Sequence, residues 1–355
     1  MNQQNIYKMK MLKQPTWLLI VALLAGFISY GGNPQRIGQS GASELLINPW
    51  AGSAGWNGVN ISNVSGLDAM YVNIAGTALK DGMDVGFTNV QWLVDTDVSI
   101  SSAGLVTRVG DGGALSTSFS VVDYGEWDIA IESDPDGNLG TISPSSAVIG
   151  LGYAQRFAKS IYGGIRLNLY SQTNDNLSVS ALTIDAGIQY ISRAEDLKFG
   201  ITLKNVGPST NFDGDGLSIT LPVPQGGFSQ AFDQRSADFE MPTALSLGGS
   251  YNFDFEDQRI TMAAAFRSNS FESDQYVLGA EYGIKDDLLA IRGSYTFYNT
   301  KDVTREVSII GNVSAGLSVK VPLSENRTKS LNLSYAYRTT DILSGIHYFG
   351  GTFDL

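Results

Sequence analysis

Few residues in this chain could carry chemistry. There is one histidine, His347, and no cysteine in 355 residues. A Ser-His-Asp site could therefore use only His347, and no Gly-x-Ser-x-Gly elbow places a serine between a strand and a helix. Zinc held by two histidines, thiolate metal sites and disulfides are excluded by composition. Asp134-Pro-Asp136-Gly-Asn138 and Asp213-Gly-Asp215-Gly space carboxylates much as calcium loops do. Neither continues to a distal glutamate, and Asp-Gly is ordinary turn chemistry, so turns are the better reading. Neither catalysis nor a metal or cofactor is expected. The formal net charge is −12, and a surface of that sign does not suit nucleic acid, whose phosphates need a basic face.

The elements that would position any site are strands. Forty glycines, sixteen tyrosines and sixteen phenylalanines accompany a charged fraction of only 16%, the balance of a sheet protein with tight turns and interfacial aromatics. Residues 1–32 read as a signal peptide. Lys8, Lys10 and Lys13 form a basic start, Trp17 to Ile28 an apolar run, and Ser29-Tyr30-Gly31-Gly32 a mostly small cleavage region. Alternatively that run is a membrane anchor, although it is shorter than the ~20 residues a span needs. Beyond Asn33 no apolar stretch approaches that length.

Period-two alternation recurs instead. Val313, Ala315, Leu317, Val319 and Val321 share one face, against Asn312, Ser314, Gly316, Ser318 and Lys320. Leu331, Leu333, Tyr335 and Tyr337 repeat the pattern. Such segments are predicted at 84–93, 97–109, 112–123, 145–157, 161–172, 180–191, 197–206, 241–253, 258–268, 274–284, 287–299, 308–321, 329–338 and 344–354. About fourteen segments, each roughly ten residues long, match tilted strands crossing a bilayer, and an even number closes antiparallel. Arg166, Asp185, Lys204, Arg292, Lys320 and Arg338 fall on the inward-type face, where a barrel lumen or plug interface offers them polar surroundings and a sandwich core does not. Trp92, Trp127, Phe157, Tyr170, Tyr190, Phe253, Tyr298 and Tyr348 lie near strand ends and are predicted to form interfacial girdles. The expected fold is all-β: a closed antiparallel transmembrane barrel of about fourteen strands over residues 81–355, preceded by a plug-like segment at 33–80. A soluble exported sandwich is the competing architecture.

Two connections break the short-turn rhythm, 124–144 and 207–240. Loops of this length are usually functional. Their apolar residues Trp127, Ile129, Ile131, Phe212, Leu217, Ile219, Leu221, Phe228 and Phe232 are candidate anchors for a partner protein; alternatively they fold back over the barrel mouth as a lid.

The stretch from Glu44 through Pro49-Trp50-Ala51-Gly52 to Trp56-Asn57-Gly58, continuing through Gly66-Leu67-Asp68-Ala69 and Asn73-Ile74-Ala75, resembles the opening of the PorV/PorQ family. Asp68, Ala69 and Asn73 match its plug motif. Ile74 replaces a proline and Trp50 an acidic residue, as in a divergent member. The resemblance recurs at Gly125 to Pro144, at Leu203-Lys204-Asn205-Val206-Gly207-Pro208 and at Met241 to Tyr251. It implies a fourteen-stranded barrel like that of the long-chain fatty acid transporter, working in type IX protein secretion in the bacterial outer membrane. On that reading the partners are the type IX translocon, the C-terminal signal domains of secreted cargo, and outer-membrane lipid. The alternative is an outer-membrane transporter of hydrophobic small molecules, although the polar inward positions speak against a greasy channel.

Overall fold

A computed structural model of the chain describes residues 36, 38–130, 132–133, 135, 139–223, 226–285, 287–298, 310–324, 329–341 and 343–355. The signal-peptide expectation for 1–32 lies outside the described residues. Fourteen strands close into one antiparallel barrel. In chain order its strands are β1 (Met83–Gln91), β2 (Ser99–Val109), β3 (Gly113–Asp123), β6 (Ser145–Ala158), β7 (Ile161–Asn174), β8 (Leu177–Ile191) and β9 (Leu197–Val206). The second half comprises β12 (Ala244–Phe255), β13 (Gln258–Asn269), β14 (Gln275–Ile284), β15 (Leu289–Tyr298), β16 (Ile310–Pro322), β17 (Ser330–Thr340) and β18 (Ile346–Asp354). Two small hairpins lie inside the long connections, β4 (Trp127–Asp128) with β5 (Thr141–Ile142), and β10 (Ser218–Pro222) with β11 (Ser229–Asp233). Closure runs from Asp84↔Asp354 to Gln91↔His347.

Alternation decides which side chain meets which medium. On β16 and β17 Leu317 and Leu333 point outward, while Ser318 and Ser334 face inward and share a 2.8 Å hydrogen bond. A closed barrel satisfies every strand edge, which an apolar surround demands. The links 92–98, 124–144, 175–176, 207–243, 270–274 and 341–345 all leave one end of the barrel, and the shorter turns leave the other. Outer-membrane barrels send long loops outward and short turns to the periplasm, so the long-loop end is extracellular.

Residues 38–82 lie inside the barrel as a plug of short turns and helices. Its two α-helical pieces are α1 (Ala51–Ala54) and α2 (Gly66–Val72), with 3₁₀ turns at Ser43–Leu46, Val59–Ser62 and Ile74–Leu79. Trp50, Trp56, Val59, Ile61, Met70 and Ile74 are buried. Inward glycines admit this bulk: a Cβ on Gly104 would fall 2.5 Å from Met70, and one on Gly86 would fall 2.7 Å from Leu67. At the periplasmic end Lys80 bridges Asp84 at 3.1 Å and Asp354 at 2.6 Å, tying the end of the plug to the β1–β18 seam.

The girdle expectation needs correction. Tyr190, Phe253 and Phe157 face outward, but Tyr170 and Tyr348 are only 2% and 3% exposed and point into the lumen. Tyr298 and Trp92 line the interior cavity described below, and Trp127 sits in the extracellular hairpin. Nearness to a strand end does not set a side chain's face; parity does, and Tyr170 lies between the outward Leu169 and Ser171.

Candidate functional site

The plug is fastened by the polar side chains that the strands turn inward. Asn73, fully buried at the end of α2, accepts from Ala75 N at 3.2 Å and donates to Ile61 O at 2.8 Å and to Ile188 O, on the barrel wall, at 3.1 Å. Gln189 donates to Ile61 O and Val64 O, both at 3.1 Å. Arg166 donates to Met70 O at 2.7 Å and to Ser118 Oγ at 2.8 Å, and Arg292 donates to Gly52 O. Asp68 accepts from Ser53 N at 3.0 Å, joining α2 to α1. Burial pushes the Asp68 carboxyl upward, against the opposing pull of Arg292 and Ser53. Ala69 is fully buried in the apolar cluster with Trp56, Ile61 and Val64. The three motif residues Asp68, Ala69 and Asn73 thus sit together on α2 and its end.

Above the plug, in the extracellular half of the lumen, lies a cavity of about 760 Å³. Its floor comes from the plug, with Leu46, Ile47, Ile61, Tyr71 and Val72, and its walls from inward residues of the strands. Three cations line it: Lys204 of β9, Arg267 of β13 and Arg338 of β17. Lys204 Nζ sits 3.0 Å from the centroid of the Tyr71 ring, a cation–π contact. Arg267 donates to Gln275 Oε1 at 3.2 Å and to Asn57 O at 3.3 Å, and Arg338 Nε is buried without a hydrogen-bond partner. Among the described residues none of the three forms an ion pair. Glu272 lies on the cavity edge, its carboxyl raised by burial and drawn back by Arg267 and Arg338. Burial also raises the Tyr71 phenol, which stays neutral beneath Lys204. Tyr124 at the rim is pushed up to about 12 by burial and by Glu44.

The loop residues marked in the sequence do not form one surface. Trp127 is 51% exposed, with its indole N–H donating to Tyr124 O, and Ile129 is half-buried beside Gly140. Ile131 lies outside the described residues. Phe212 packs on Phe239, beside Leu45 of the plug and Tyr170 of the wall. Leu217 and Ile219 are half-buried, whereas Leu221, Phe228 and Phe232 on the β10–β11 hairpin are 47%, 58% and 44% exposed. Arg267, Glu272 and Tyr71 were not singled out by the sequence. Arg267 sits in alternation opposite Phe266, and that parity is the one signal that marks it as inward.

Comparison with known proteins places the architecture. No family model matches the chain, and no curated relative matches it. Among solved structures it is similar to the CymD monoaromatic hydrocarbon channel, at 12% identity and a TM-score of 0.54, covering 87% of this chain and 97% of that one. A Pseudomonas aeruginosa FadL homologue aligns at 11% identity and a TM-score of 0.51, with 85% and 98% covered. The Pseudomonas putida toluene transporter TodX gives 11% and 0.51, with 82% and 94% covered. At such identities the shared property is the fold. The chain is an integral β-barrel of the bacterial outer membrane, fourteen strands around a plug, built like these channels. The PorV/PorQ resemblance rests on the sequence motifs alone.

Proposed function

We propose that the protein captures amphipathic small molecules, with an apolar body and an anionic head, at the extracellular mouth and admits them through the outer membrane. One observation carries this: apolar plug residues and the basic side chains Lys204, Arg267 and Arg338, none of them in an ion pair among the described residues, line one cavity of about 760 Å³, a volume in the range of small-molecule sites. Its acids, Glu44, Glu272 and Asp341, lie in the same lining. Of the inward polar residues that the sequence reads as unfavourable to a greasy channel, Arg166, Gln189 and Arg292 bond the plug, and the plug's aliphatic side chains line the cavity. The protein acts by binding and passage, not catalysis. Two of the named neighbours are a monoaromatic hydrocarbon channel and a toluene transporter, which agrees with this reading without establishing it. The test compares binding of dodecanoate and dodecanol to the purified barrel. Lys204→Met with Arg267→Met should weaken dodecanoate about tenfold or more, since a charged hydrogen bond contributes ~1.5–3 kcal/mol, and leave dodecanol within a factor of about two. Equal loss for both ligands, or no saturable binding in the native protein, overturns the reading.

A second reading, the PorV-like one, has its own support. The β10–β11 hairpin presents Leu221, Phe228 and Phe232 to water, and exposed aromatics of this kind are common anchors for partner proteins. In that role the hairpin would hold the type IX translocon or secreted cargo while the barrel serves as its mount.

A further inference from the structure

The lipid-facing wall has a polar gap. Asn89 of β1 points outward, because its neighbours Thr88 and Val90 are 1% and 0% exposed and fill the lumen side. The same parity turns out Ser101, between Ile100 and Ser102, and His347, between Ile346 and Tyr348. These three residues occupy adjacent strands, β18, β1 and β2, and Gln91 paired with Ser99 lies just above them. Strands tilted by roughly 35–45° make a level ring step about one residue per strand. At that level the outward positions elsewhere are apolar, among them Val313, Phe297, Leu245, Ile184, Ile149 and Phe119. Asn89 Nδ2 donates to Ser101 Oγ at 3.1 Å, and His347 Nδ1 meets Tyr335 OH at 2.8 Å. The Asn89 carbonyl oxygen and the Gln91 amide have no side-chain partner among the described residues. At the extracellular edge of the apolar band, where β1 ends at Gln91, such groups are costly to leave facing hydrocarbon.

We infer that the β17–β18–β1–β2 wall is the interface of a homodimer, with a second copy of this chain covering the gap. Two features select the copy. Amides and hydroxyls both donate and accept, so the neutral patch is complementary to itself. A twofold axis relating two barrels in one membrane must run along the membrane normal. It therefore sets every depth against the same depth, polar row on polar row and aromatic on aromatic, with Tyr335, Tyr337 and Phe349 flanking the gap. Size also suits. Four strands ~4.8 Å apart across an apolar band ~25 Å tall give a face on the order of 500 Å² in projection. Its pleated accessible area approaches the ~800 Å² per partner of a standard interface.

The native chain has no cysteine, so a single introduced thiol reports its own neighbour. Asn89→Cys and Ser101→Cys should each form a disulfide-linked species of twice the chain mass in outer-membrane vesicles treated with copper–phenanthroline. The yield should be at least tenfold above Ile188→Cys and Leu245→Cys, whose side chains face lipid on β8 and β12, on the far side of the barrel. Heat-modifiable migration certifies that each variant is folded, and the two gap positions back one another if one fails to fold. Dimer yields at Asn89 and Ser101 no greater than at the controls overturn the inference. So does cross-linking to a band of any other mass, which would put a different protein in the gap.

Discussion

Asn73→Ala should loosen the plug while leaving the barrel standing. Asn73 is fully buried and does three things at once: it caps the turn at Ala75, holds Ile61 O and reaches across to Ile188 O on β8. Losing a cap costs ~1 kcal/mol, and losing a buried hydrogen bond costs about as much again. Ile61 O keeps its bond from Gln189, so it is not orphaned. Ile188 belongs to the β8–β9 ladder and retains its strand pairing. The expected loss is therefore roughly 2–3 kcal/mol, a rise of about 30- to 150-fold in the population with the plug unseated. Hydrogen exchange followed by mass spectrometry reads this directly. Peptides spanning 59–79 should lose protection by that factor, while peptides within β12 and β13 should be unchanged. If plug and strand peptides lose protection together, or if the plug changes by less than about threefold, Asn73 is not the fastening described here.

Gly187 offers an independent probe of the same contact, because a Cβ there would lie 2.1 Å from Asn73 Oδ1. Gly187→Ala should loosen the plug in the native background and cost much less on top of Asn73→Ala; additive effects in that double-mutant cycle would count against the packing. Leu317→Arg and Leu333→Arg, on the lipid face, should destabilise the folded barrel by roughly 2–4 kcal/mol. The same change at the inward Ser334 should be milder in urea unfolding from bilayers, and equal effects would mean the register is wrong. Removing Ser218–Asp233 should leave heat-modifiable migration intact, because the hairpin's strands, apart from the half-buried Ile219, are exposed. If proteins that co-purify with the full chain still do so afterwards, the hairpin is not their docking surface.

The strands were legible because a bilayer imposes a strict two-residue rhythm over about ten residues, which few soluble sheets sustain. The predicted segment 161–172 and the observed Ile161–Asn174, or 197–206 and Leu197–Val206, differ by two residues or none. Facing was less legible where an aromatic stood in the rhythm without an apolar partner, and Tyr170 and Tyr348 were assigned to the wrong side on that account. The plug motif was visible as Asp68, Ala69 and Asn73, but its bonds were not. Asn73 meets Ile188, and Arg166 meets Met70, across more than ninety positions that no local pattern connects. For the same reason the sequence places Arg166 and Arg292 at a lumen or plug interface without naming their partners, and both donate to plug carbonyls. The vestibule was hidden most completely, since Lys204 and Tyr71 come together only once the plug is seated.

Charge is arranged in two layers along the route a ligand would take. Among the described residues the extracellular connections hold fourteen acids against one base, while the periplasmic turns hold six against four. The chain's negative charge is thus concentrated on the rim, directly above a cavity whose deeper lining includes Lys204, Arg267 and Arg338. At physiological salt the field of the rim decays over ~8 Å, so it acts on whatever enters the mouth. A small hydrophilic anion meets repulsion there and gains nothing from the apolar floor. A molecule with a long apolar body gains ~25 cal/mol for each Å² it buries, which offsets the rim and carries its head down to Lys204, Arg267 and Arg338. On the proposed reading, the rim and the vestibule together select for amphipathic anions over simple ones, with the discrimination set by the apolar area of the ligand and not by its charge.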